Sequence, residues 1–338
     1  METDGFAGGR KMIERKYRRI AVTASLLALS AAAWLLPEYY LDVLTTVMIF
    51  AILAISMELV LGTTGLVSFG QAAFFGVGAY AVVVLQKYLG VDNLLAVGAG
   101  AVVASAAVGA FVGALSLRTR HVYFIMVTLA FAQMMYHIAH DTPLVGGSDG
   151  MYLGRELDIA SWAGLEFAFE GTTVLFLGAL VSLVGCIVIA VVLLRAKFGR
   201  ALKGIGSNER RMAAVGYLPY RYKLAVFTIG AAMAGLAGFL YCAKHGAASP
   251  EMMGWQKSGV VLLMVIIGGI GRLWGAVCGA AIYVLLQEVL SSEDVMGPLA
   301  AHWLLLFGIA IILIVACWPK GFAGLVEKWM RPKARETA

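Results

Sequence analysis

Apolar residues in this chain come in long blocks rather than in stripes. Ten stretches carry hardly a charge, near positions 20–36, 40–61, 67–86, 93–117, 122–140, 172–194, 224–243, 258–271, 273–290 and 301–318. At ~1.5 Å per residue, a block of about twenty makes a helix that crosses the ~30 Å hydrocarbon core of a bilayer. Strand-like alternation with regular turns is missing, which argues against a membrane β-barrel. The pattern predicts an all-α, polytopic helical membrane protein of about ten transmembrane helices, some of them short or broken. The eighth block is the doubtful one, because its core from Val260 to Ile270 reaches only about half the required thickness.

Charge supports the count. If the first block starts in the cytosol and every block crosses, cytosolic segments hold 22 of the 26 basic residues. They are six at the amino terminus, Arg118 and Arg120, eight from Arg195 to Lys223, Arg272, and five from Lys320 to Arg335. That is the bias expected of inward-facing loops. It also decides the eighth block: if it turned back, the basic tail would lie outside. We expect it to cross, helped by 252–259 or by a glycine-bearing break. The first block, 20–36, resembles a signal peptide with Ala31 and Ala33 at a cleavage site, yet its 17 apolar residues suffice for a span.

Composition agrees, with 61% hydrophobic and 14% charged residues. Many of the 40 glycines lie inside the blocks. The four-residue spacings Gly109/Gly113 and Gly275/Gly279 put small residues on one helix face, where helices approach closely. Cys186, Cys242, Cys278 and Cys317 stand singly in different blocks and read as packing residues.

The expected domain layout is a cytosolic basic amino terminus at 1–19, a transmembrane domain at 20–325, and a cytosolic basic tail at 326–338. Within the second lie an external loop, 141–171, and a cytosolic loop, 195–223. The external loop has six acidic residues against Arg155 alone and is long enough to be functional.

Catalytic chemistry finds little foothold. No phosphate-binding P-loop occurs. Ser68, Ser105 and Ser116 have no identifiable base, and such serines usually hydrogen-bond between helices. His137, His140 and Asp141 share a helix end but lack a third good metal ligand. Only Glu58 and Glu288 are carboxylates well inside a block, each near its end, so an ion pathway is weakly supported.

The basic loop holds more than charge. Ser207 reads as an N-cap, Glu209 falls in the first turn of a short helix, and Gly216 and Pro219 stop it. Ala213 and Ala214 give that helix a small-residue face, suited to a cytosolic partner. Topology-fixing charge alone is the simpler alternative.

Four segments together resemble the permease subunits of ABC importers for branched-chain amino acids, specifically the longer M-type chain. They are GTTGLVSFGQAAFFGVGAY (Gly62–Tyr80), VYFIMVTLAFAQM with GGSDG (Val122–Met134 and Gly146–Gly150), FGRALKGIGSNERRMAAVG (Phe198–Gly216), and SGVVLLMVIIGGIGRLWGAVCGA with WPKGFAGL (Ser258–Ala280 and Trp318–Leu325). The resemblance runs from about Leu41 to Leu325. It implies a type II ABC importer permease-like fold in a bacterial plasma membrane with both termini cytosolic. The implied partners are a second homologous permease subunit, two cytosolic ATPases that use ATP and Mg, and an extracytoplasmic binding protein, with no nucleic acid. No cofactor, metal or catalytic residue is implied in this chain.

By the same resemblance, Arg200, Ser207, Asn208, Glu209, Arg210, Ala213, Ala214 and Gly216 form the ATPase-coupling element. Ser68, Gln71, Phe74, Gly76, Gly78, Tyr80, Gly268, Gly269 and Gly271 are candidates for the translocation path or gate, with helix packing as the alternative. Gly146, Gly147, Ser148, Asp149 and Gly150 would face the binding protein. Family members often carry an acidic residue near Val260, absent here. Close relatives carry urea or short amides, and that substrate class stays open beside branched-chain amino acids. An ion-coupled secondary transporter would need midplane carboxylates or a recognisable repeat of unwound helices, and neither is clear.

Overall fold

A computed structural model describes residues 37–154, 171–318 and 321–324. The first predicted block, 20–36, and the tail lie outside these residues; each of the other nine blocks corresponds to a helix. Eight helical segments are long and apolar enough to cross a membrane, and Trp255–Gly268 is a shorter apolar helix.

Two long helices form the hub. Helix α1, Glu38–Thr64, is apolar on every side and is buried almost continuously from Met48 onward, as a helix with no lipid-facing stripe must be. Gly65 ends it in the left-handed region (φ 71°), its N–H closing on the Leu61 carbonyl. After it come α2 (Gln71–Leu89), α3 (Leu94–Ser116), α4 (Val122–Asp141) and α5 (Gly171–Arg195), of which α5 packs on α1. Two short helices, α6 (Lys197–Ser207) and α7 (Glu209–Ala214), lead to the second hub, α8 (Pro219–His245). Next come α9 (Trp255–Gly268), α10 (Leu273–Ser291), the single turn α11 (Glu293–Met296) and α12 (Trp303–Cys317). Helix α8 packs on α1, α2 and α3, while α10 packs on α1 and α9.

Glycine sets these approaches. A Cβ at Gly78 would drive into the backbone of Gly235, and one at Gly238 into the Phe75 carbonyl, so α2 and α8 touch backbone to backbone. Gly109 and Gly113 lie against Ala231 and Phe227 of α8, and Gly279 lies against the Met264 carbonyl of α9. The four-residue pairs are helix contacts, as expected. Of the cysteines, Cys186 and Cys242 are buried and Cys278 is half-buried, but Cys317 is exposed on α12 and is not a packing residue within this chain.

The bundle has two ends, one bearing the basic helices α6 and α7. Lys244, one residue from the end of α8, pairs with Asp42 at 2.9 Å, while Gly271 after α9 lies beside Gly62. Asp42 and Gly62 are twenty residues, roughly 30 Å, apart along α1. Segment 246–268 therefore traverses a full bilayer thickness, though its helix α9 has only 14 residues. The eighth block reaches from one end of the bundle to the other because an irregular stretch precedes it: the two-residue strand Ala247–Ala248, then the 3-10 turn Pro250–Met253.

A second break escaped the hydropathy pattern. Gln71, the first residue of α2, donates its amide to the Ser56 carbonyl at 3.5 Å. Ser56 lies about 27 Å from the start of α1 and about 12 Å from its end. Residues 65–70 therefore climb back from the basic end, and α2 begins in the interior of the bundle. Helices α2 and α9 both start in the interior of the bundle and run to opposite ends, α2 long enough to span and α9 short.

Candidate functional site

The stretch 195–223 is better ordered than its sequence suggested. Helix α6 buries Gly199, Ala201, Leu202 and Ile205 and exposes Arg200. Phe198, Leu202 and Ile205, spaced by four and three, carry the helical signal that could have revealed it. A Cβ on Gly206 would meet Thr63 and Thr64, so this helix rests on the last turn of α1. The expected N-cap moves by one residue. Ser207 completes α6 and donates back to the Lys203 carbonyl at 2.9 Å, while the Asn208 side chain caps α7 by accepting from the Arg211 N–H at 2.9 Å. The extended backbone at Asn208 makes it the cap.

Helix α7 stands outward. Arg210, Ala213 and Ala214 are exposed, and Met212 tucks back toward Gly204. Gly216 supplies the left-handed turn at φ 93°. Glu209 pairs with Lys223 at 2.8 Å, and Phe198 stacks on Tyr222 with 5.5 Å between centroids. Two helices braced on α1 and α8 thus present one small-residue, basic knob to solvent.

In the interior, the starts of α2 and α9 meet at Phe69. Phe69 donates its N–H to Thr128 of α4 at 3.2 Å, and its carbonyl accepts from Ser258 of α9 at 2.7 Å. Ser258 in turn accepts from the Ala72 N–H at 3.1 Å. Irregular backbone inside a membrane must be satisfied by protein, and these two hydroxyls do it. Sequence reasoning missed both, since an isolated Thr or Ser in an apolar block gives no signal. Ser68 accepts from the Gly70 N–H at 3.1 Å. Gln71 is wholly buried, with its Oε1 lacking a partner, and Phe74 sits edge-on to Phe227. Gly76 presses on Met253, and Ser105 of α3 donates to the Phe74 carbonyl at 3.0 Å. Of the predicted path residues, Ser68, Gln71, Phe74, Gly76 and Gly78 are therefore buried within this chain. Tyr80 borders an apolar cleft of about 410 Å³ between α2, α3 and α4.

At the turn after α9, Gly269 and Gly271 hold φ values of 102° and 88°, a region other residues avoid. Gly268 packs against the carbonyl of Gly275. Glu58, 3% exposed, faces the backbone N–H groups of Gly271 and Arg272 where Gly62 approaches Gly271, while its Oε2 lacks a partner.

At the opposite end, Pro143–Val145 and Gly147–Asp149 form two 3-10 turns, and Met151–Tyr152 pairs antiparallel with Ala247–Ala248. Gly146, Gly147 and Gly150 all adopt positive φ. Ser148 and Asp149 are exposed, whereas Gly150 is buried against Ala248. An open cleft of about 630 Å³ adjoins the loop, bordered by Lys87, Asp92, Gly146 and Tyr152. His140 and His137 lie 2.9 and 3.9 Å from the exposed Asp141.

Residues 39–316 match the family described as branched-chain amino acid transport system, permease component. The chain belongs to that family. Similar curated proteins include the high-affinity branched-chain amino acid transport system permease protein LivM of Salmonella typhimurium, 29% identical, covering 91% of this chain and 76% of the relative. The probable LivM of Methanocaldococcus jannaschii is 27% identical over 81% of this chain and 90% of the relative. LivH of Escherichia coli is 24% identical over 82% and 92%. No solved structure matches. This permease is a polytopic membrane transport subunit and not an enzyme. Irregular connections that the sequence pattern did not show lie within the bundle at 65–70 and 246–254.

Proposed function

We propose that this permease is one pore half of an ATP-driven importer for branched-chain amino acids in the bacterial plasma membrane. Its amino and carboxyl termini and the basic end face the cytosol, and a second, homologous permease completes the pore. Two cytosolic ATPases, using ATP and Mg, seat on α7 and its flanks: Arg200, Ser207, Asn208, Glu209, Arg210, Ala213, Ala214 and Gly216. A binding protein docks at the opposite end over Gly146–Gly150, of which Ser148 and Asp149 are the accessible side chains. The observation that carries this reading is a rigid, exposed helix braced on the two hub helices, in a chain of a transport permease family.

Closure of the ATPases would push α7, and through Gly206 the end of α1, moving a lever between two states. Gly268, Gly269 and Gly271 form the hinge beside that lever. Ser68, Gln71, Phe74, Gly76, Gly78 and Tyr80 lie on the bundle wall that must shift as the path opens. Interrupted helices also occur in ion-driven transporters; the family match, not the buried Glu58 with its unpartnered Oε2, supports ATP drive here.

The test is co-purification with the neighbouring gene products, comparing wild type with Arg210→Glu/Ala213→Asp. Both positions are exposed, whereas Glu209 also anchors α8 through Lys223. We expect wild type to retain an ATPase and the double variant to lose it while staying folded in the membrane. An ATPase held equally by both, or by neither, overturns the reading.

A further inference from the structure

Lys257 is a cation in an unusual place. It borders a small gap together with Phe50, Leu53 and Ala72. Its neighbour Ser258 is hydrogen-bonded to Phe69 and Ala72. Phe50 and Leu53 lie twelve and fifteen residues into α1, roughly 18–22 Å from its start and about as far from its end. Lys257 therefore sits midway across the membrane, in the second break, and with Trp255 and Gln256 it is exposed on the surface of the chain. No carboxylate among the described residues forms an ion pair with it.

A lysine exposed to lipid at that depth is strongly disfavoured, and its four-carbon stem cannot span half of a ~30 Å core to reach headgroups. The face that carries it therefore meets water or protein. The gap beside it is walled by Phe50, Leu53, Phe75 and Tyr241. Toward the opposite end, Lys244 pairs with Asp42 and donates to Thr46. A cation with no ion pair among the described residues, set beside apolar side chains, suits a small zwitterion with an apolar side chain.

We propose that Lys257 binds the carboxylate of the transported amino acid midway across the membrane, with the apolar wall of Phe50, Leu53 and Phe75 beside its side chain. This rests on the importer reading above and adds a specificity-determining residue to it. The charge is the working part: arginine retains it, whereas methionine keeps the stem alone.

The experiment uses the complete complex, with partner permease, ATPases and binding protein, in proteoliposomes. We expect Lys257→Met to lower ATP-driven leucine uptake at saturating binding protein by at least tenfold, and Lys257→Arg to retain most of it. Partner permease and ATPase should co-purify with both variants. Separately, Lys257→Cys should react with a negatively charged, membrane-impermeant thiol reagent from the aqueous phase, above the background of wild type. Leucine-loaded binding protein with ATP should slow that reaction. Loss of the partner permease from Lys257→Met would make Lys257 an inter-subunit ion-pair residue and overturn the proposal. Normal uptake by Lys257→Met, or a Lys257→Cys thiol closed to the reagent, would overturn it equally. Absence of ATP-driven uptake in wild type refutes the importer reading instead, which the thiol reaction does not depend on.

Discussion

The seam between α2 and α8 allows a quantitative test of what the glycines do. In Gly78→Ala the new methyl group would fall 2.6 and 2.7 Å from the Cα and carbonyl carbon of Gly235, closer still to its oxygen. Ordinary contact begins near 3.4 Å, and here both sides are backbone, so no flexible side chain can yield. The helices must part by about 1 Å, and a gap of that size forfeits a quarter to a half of each dispersion contact along the seam. Overpacking of this kind costs about 1–3 kcal/mol, and we take the upper end because the clash is backbone against backbone. Replacing glycine by alanine within a helix returns about 0.5–1 kcal/mol, leaving a net loss near 2 kcal/mol. Gly185→Ala on α5 is the control, since a Cβ there meets nothing within 4 Å. It keeps the helix gain alone, so the two variants should differ by about 3 kcal/mol, roughly a hundredfold in the unfolding equilibrium. The assay is SDS-induced unfolding of the purified chain in mixed micelles, followed by tryptophan fluorescence. Equal midpoints for Gly78→Ala and Gly185→Ala would refute the backbone-contact argument.

Two further outcomes follow from the hydroxyl and cap contacts. Ser258→Ala strips the buried Phe69 carbonyl and Ala72 N–H of their shared partner, at about 1–3 kcal/mol for each group left unpaired. It should therefore unfold in the same assay at a clearly lower midpoint than Ser105→Ala, which removes one bond; matching midpoints would count against the junction. Asn208→Ala should cost α7 about 1 kcal/mol and speed amide exchange at 209–214 about fivefold, with Asn208→Asp restoring protection. Unchanged exchange would mean that the flanking contacts, not the cap, hold the helix.

Sequence pattern carried much of this architecture, for reasons visible in particular residues. Long apolar blocks register in any hydropathy window, so α1, α5 and α8 were legible. The basic loop was readable because Glu209, Gly216 and Pro219 are local signals acting within one or two turns. Choosing Ser207 over Asn208 as the cap was an error between two adjacent residues of equal capping ability, settled by the extent of α6. The break at 65–70 was invisible for the opposite reason. Val67 and Phe69 are apolar, and what permits irregular backbone there is Thr128 and Ser258, 59 and 189 residues away. Buried path candidates such as Gln71 could not be told from packing residues, because burial is a property of the assembled bundle.

That long separation bears on how the chain is made. At ~5–20 residues per second, Ser258 is synthesised roughly 10–40 s after Phe69, the residue it will satisfy. Through that interval α2 has a polar, unwound entrance and cannot settle in lipid as an independent span. It must wait at the insertion machinery, or lie shallow against α1, until α9 emerges. Insertion of this permease is therefore expected in two stages, with α1 and the other long helices entering as they are made and the junction of α2 with α9 closing last. A chain truncated before Ser258 should be held back by membrane quality-control proteases rather than accumulate as a partial bundle.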